Sequence, residues 1–80
     1  MTTASVAGSR LEAVLSKENA ALMRLDVAGA SDLLEEKLAA ARELDSAPPS
    51  PRTPDAAAMA LRLRDLAHEN RRLLERAILV

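Results

Sequence analysis

The sequence predicts an all-α fold: an antiparallel helical hairpin of two long helices, completed to a four-helix bundle by dimerisation or by a bound partner. Three observations predict it. Leucines stand at 11, 22, 33 and 44, each eleven residues after the last. Three helical turns take about 11 residues, so all four share nearly one face. A strict heptad follows in Ala56, Met59, Leu63, Leu66, Asn70, Leu73, Ala77 and Val80, the a/d seam of a left-handed coiled coil or bundle. Between the two patterns lie Pro48, Pro49, Pro51 and Pro54, which no helix interior accommodates.

Residues 1–8 are small and polar and are expected as a flexible N-terminus. Ser9, with Glu12 three residues on, makes a capping box for helix 1; Ser5 or Thr3 serves if the helix begins earlier. Helix 1 is expected over 9–45. Its stripe runs Leu11, Leu15, Leu22, Leu25, Ala30, Leu33, Ala41, Leu44, flanked by Val14, Leu34 and Leu38. Lys17, Glu18, Arg24, Glu35, Glu36, Arg42 and Glu43 fall mostly opposite. Asp26–Asp32, with Gly29 and two potential caps in Asp26 and Ser31, is the weak point. The eleven-residue register passes through it undisturbed, so a continuous helix is expected, with a kink near Gly29 as the alternative.

Residues 46–53 form a proline-rich turn. Thr53 then suits an N-cap, Pro54 the first helical position and Asp55 the positive helix end. Helix 2 is expected over 54–80. Asn70 is the polar residue of its seam, a register-setting group or a contact to an incoming helix. Leu73, Leu74, Ala77, Ile78, Leu79 and Val80 make its last turns apolar on most sides. No stop signal closes the helix at Val80, so its continuation beyond this point is also an expectation.

Composition limits what this chain does. Its 80 residues are 49 % apolar, with no Phe, Tyr, Trp or Cys. A core of alanine and leucine is thin, and a chain this short buries only roughly 60 % of its unfolded surface. The net charge of −1 comes from well-mixed acids and bases, so no basic block or aromatic platform suits nucleic acid. No stretch suits membrane insertion, and Met1–Ser9 is not a signal sequence. The single histidine, His68, stands on an outward position and makes no metal site. Two helices make no pocket that would tune a carboxylate, and Gly8 and Gly29 make no phosphate loop. No enzyme and no cofactor is expected. Pro48-Pro49-Ser50-Pro51 is a formal PxxP, read as a simple turn.

The helices carry a resemblance. Glu18-Asn19-Ala20-Ala21-Leu22, then Asp26, Leu33 or Leu34, Glu36-Lys37 and Leu44, resembles the first helix of the FlgN family. Leu66-Ala-His-Glu-Asn70-Arg-Arg-Leu73-Leu74 resembles that family's Leu-x-x-x-Asn-x-x-Leu-Leu stretch. Together these cover about residues 11–44 and 59–80. The resemblance implies a cytoplasmic chaperone of flagellar type III export. Its partners would be hook–filament junction proteins, captured by their amphipathic C-terminal segments. The matching client-binding positions are Asn70, Leu73 and Leu74, with Ala77 and Ile78 extending the surface, and a homodimer is expected when no client is bound. A self-associating coiled-coil or helical-hairpin protein with a structural or regulatory role, and no export role, is the alternative.

Overall fold

A computed structural model of the chain describes residues 2–49 and 52–79. It is all-helical, with α1 (Thr3–Met23), α2 (Val27–Asp32), α3 (Leu34–Ser46) and α4 (Pro54–Leu79). No strand occurs among the described residues. Val80, the last seam position, and Ser50-Pro51 of the proline turn lie outside them.

Helix formation begins earlier than expected. Thr2 caps α1 by accepting a hydrogen bond from the Ser5 amide at 3.0 Å. Residues 3–8, expected to be flexible, are the opening turns of α1, and Ala7 and Gly8 are buried. Ser9 is an exposed helical residue rather than a cap.

The continuous helix over 9–45 is corrected. A straight helix of that length would span roughly 55 Å, whereas the molecule's longest dimension is 42 Å. α1 ends at Met23 in paired hydrogen bonds: the Asp26 amide to the Ala21 carbonyl (2.9 Å) and the Leu25 amide to the Leu22 carbonyl (3.0 Å). This is the Schellman ending, which places one residue in the left-handed region. That residue is Leu25, at φ 60°. Asp26 then caps α2, its Oδ1 accepting from the Gly29 amide at 2.9 Å. A Cβ at position 29 would run into the Asp26 carboxylate, so the glycine makes this cap sterically open. Two local terminators thus outweigh the helical phase that continues across them. Leu33, by contrast, keeps near-helical angles (φ −90°, ψ −6°) and makes a kink.

The chain folds back at this corner. Ion pairs Arg10–Glu43 and Glu18–Lys37 set α3 antiparallel to α1. α4 returns parallel to α1: Gly8 lies against Met59, Glu12 pairs with Arg62, and Asn19 bonds Asn70. The expected two-helix antiparallel hairpin is therefore replaced by α1 flanked by α3 and α4, while α3 and α4 meet only sparsely. Gly8 has its own structural reason, since a Cβ there would collide with the Met59 thioether.

The core is as thin as composition requires. Ala7, Val14, Leu15, Ala21, Leu22, Ala30, Ala40 and Leu73 are its buried apolar residues, and Val14 is the largest side chain buried completely. The heptad seam of α4 faces inward: Asn70 and Leu73 are buried, and Met59, Leu63, Leu66 and Ala77 are half-buried. Ala56, at its start, is exposed. No helix among the described residues is long and apolar enough to cross a membrane.

Candidate functional site

Three features of the molecule bear on function. The first is a buried polar knot where α1, α3 and α4 meet. Asn70 Nδ2 donates to Asn19 Oδ1 at 2.9 Å, and Asn19 Nδ2 donates to the Leu66 carbonyl at 3.2 Å. Lys37 Nζ donates to Asn70 Oδ1 (3.2 Å) and to Glu18 Oε2 (3.3 Å). Glu18 Oε1 lies 3.1 Å from the same ammonium, angled so that it forms an ion pair without a hydrogen bond. Glu18 is only 3 % exposed, and Asn19 and Asn70 are also buried.

This knot joins three helices: Asn19, Asn70 and Lys37 hydrogen-bond within it, and Glu18 Oε1 faces the Lys37 ammonium as an ion pair alone. Asn70 is buried inside this chain and bonds Asn19 and Lys37. Glu18, expected on the solvent side, is corrected to an interior position. The signal for it lies in the α1 sequence. Leu11, Leu15, Glu18, Leu22 and Leu25 alternate spacings of four and three, so Glu18 occupies a seam position just as Asn70 does.

The second feature is an apolar cleft of about 560 Å³ at the end where α1 begins. Leu44 of α3 and Ala56, Met59, Ala60 and Leu63 of α4 supply its apolar lining, and Asp55 and Arg62 stand among the polar residues. The volume falls within the range of ligand-holding clefts. Thr2, Ala4 and Ser5 at the start of α1 and Thr53 and Ala58 complete the cleft's lining. None of the residues expected to bind a partner lines it.

The third feature is the opposite end, where α1 and α4 finish. Leu73 is buried against Ala21, Leu22 and Ala30, with Leu74 and Ala77 packed on that cluster. Leu73 is thus core, and Leu74 and Ala77 are divided between core and surface. Ile78 is 81 % exposed. Met23, Leu25 and Val27 at the neighbouring corner are exposed as well.

Along its outer face α4 carries Asp65, His68, Glu69, Arg71, Arg72 and Glu75. Arg72 pairs with Glu69 at 2.6 Å and Arg71 with Glu75 at 3.3 Å. The Glu69 hydrogen bond raises the Arg72 guanidinium further above its ordinary pKa, with Glu69's charge adding to it. Among the described residues no group of His, Cys, Asp and Glu is arranged to hold a metal ion. Comparison with protein-family models, curated proteins and solved structures finds no match to this chain.

Proposed function

We propose that this chain is a helix-capturing binding protein, and that its client class is the one the sequence resemblance implies. It would act as a cytoplasmic chaperone of flagellar type III export, holding the amphipathic C-terminal segments of hook–filament junction proteins. The observation that carries the reading is the open apolar cleft lined by Leu44, Met59 and Leu63. An amphipathic helix places side chains at positions i, i+3, i+4 and i+7 into such a groove. Arg62 and Asp55 at the cleft offer both charge signs to the polar flank of an incoming helix.

The test is titration of the chain with peptides from those C-terminal segments, followed by calorimetry. Saturable binding that Met59→Asp weakens at least tenfold, with helicity retained, supports the proposal. Binding unchanged by Met59→Asp but lost in Leu74→Asp moves the client to the far end. No binding of any segment rejects the client class. Self-association without a client is the second reading, favoured by the exposed Leu34, Leu38, Leu61 and Ile78.

A further inference from the structure

We propose that two copies of this chain exchange α3 together with α4: the corner at Arg24–Asp26 straightens, α1–α2–α3 becomes one helix, and each copy's α3 and α4 pack on the other's α1. The inference does not depend on any client.

Three observations carry it. First, the corner is strained where an exchange would relieve it. Leu25 holds φ 60°, a region disfavoured for a residue with a Cβ. In a continuous helix it would take ordinary helical angles. Leu33 needs little change, being already near-helical. Second, the register suits both forms. Leu11 with Leu44, and Leu22 with Leu33, fall on the same antiparallel diagonal as the Glu18–Lys37 pair. A fold-back hairpin and two straight antiparallel helices therefore bring the same leucines to facing positions. The unbroken eleven-residue spacing is what a straight helix needs to keep all four on one side. Third, α3 is held by groups that re-form unchanged between copies. Lys37 bonds Glu18 and Asn70, and Glu43 pairs with Arg10. In the exchanged dimer the second copy contributes Lys37, Asn70 and the Leu66 carbonyl to the polar knot around Glu18 and Asn19, which is incomplete without them. Exchange of this kind conserves the interfaces and changes only the hinge, a recognised route to dimers.

Opposite hinge substitutions provide the test. Gly29 is helical in both forms, so Gly29→Ala acts through the cap: its Cβ obstructs the Asp26 cap of the closed form and favours the straight helix by roughly fivefold per hinge. With two hinges per dimer, the association constant should rise roughly 25-fold. Leu25→Gly relieves the strain of the closed form and disfavours the straight helix, so it should lower the constant by a similar factor. Sedimentation equilibrium of wild type and both variants reads these constants, with circular dichroism verifying that each is folded. Exchange is identified by mixing Arg10→Cys chains with Glu43→Cys chains and joining thiols with a short bismaleimide, since the wild-type chain has no cysteine. Cross-linking between chains in the dimer fraction is the expected result. A dimer that does not cross-link, or that responds to neither hinge substitution, overturns the proposal. So does a Gly29→Ala chain that stays monomeric at every concentration reached.

Discussion

Lys37 decides the sign of several substitution effects. It is 19 % exposed and is the cation facing the buried Glu18 carboxylate. Removing one partner of a buried pair leaves an uncompensated charge, and that costs more than the pair itself contributes. Lys37→Met should destabilise the chain by about 3 kcal/mol in urea unfolding. The double variant Glu18→Met, Lys37→Met should recover to within about 1 kcal/mol of wild type, because methionines of similar length remove the desolvation problem. A double variant as unstable as the single one would mean that the ion pair itself supplies the stability. Asn70→Leu follows the same logic. In a coiled-coil seam that exchange stabilises the bundle, which is the expectation from the heptad alone. Here Asn70 satisfies Asn19 and receives Lys37, so leucine would strand two polar groups and should cost about 2 kcal/mol. The heptad made Asn70 visible in the sequence. Its partners are less visible because Glu18 and Asn19 close the polar run Ser16–Asn19, where charge suggests the solvent side unless the seam is counted residue by residue.

At the scale of elements, the caps explain both what the sequence discloses and what it conceals. Thr53 accepts from the Ala56 amide at 3.1 Å, and α4 starts at Pro54 as the Thr-Pro-Asp order implies. Thr53→Ala should lower stability by about 1 kcal/mol, read as a lower melting temperature. An unchanged temperature would mean that α4 frays there without consequence. The corner after α1 uses an equally local signal, Asp26 with Gly29, and Asp26→Ala should cost a similar amount, about 1 kcal/mol. This signal is readable in the sequence, where it competes with the eleven-residue leucine spacing that points to a continuous helix. That spacing cannot decide between a straight helix and a fold-back, because reversing the chain near Val27 leaves Leu11 facing Leu44 and Leu22 facing Leu33. Periodicity reports which residues share a face. It does not report whether the helix bearing them is interrupted midway. The interruption rests on a leucine in a backbone region where glycine is the usual signal, so composition gave no warning of it.

Across the whole molecule, one buried apolar cluster and the open cleft lie at opposite ends, and this separates the two surfaces a partner could use. The core cluster of Ala21, Leu22, Ala30 and Leu73 lies where α1 and α4 end. The cleft lies where they begin, beside the exposed run Ala56–Ala58 of α4. Local opening follows buried apolar contact. Amide hydrogen exchange in the free monomer should therefore be slowest in the middle of α1 and over Leu66–Leu73, and fastest over α2 and the first two turns of α4. A client helix seated in the cleft supplies the missing apolar contact there and should slow exchange over residues 56–63, leaving residues 73–78 unchanged. Capture at the far end would reverse that pattern, because Ile78 and the outer edges of Leu74 and Ala77 would become covered. An exchanged dimer leaves a third signature. It abolishes the turn, so amides 24–29 exchange turn and cap hydrogen bonds for continuous helical ones and slow with no client present. One exchange experiment, run with and without peptide and at low and high protein concentration, thus distinguishes capture in the cleft, capture at the far end, and exchange of α3 with α4.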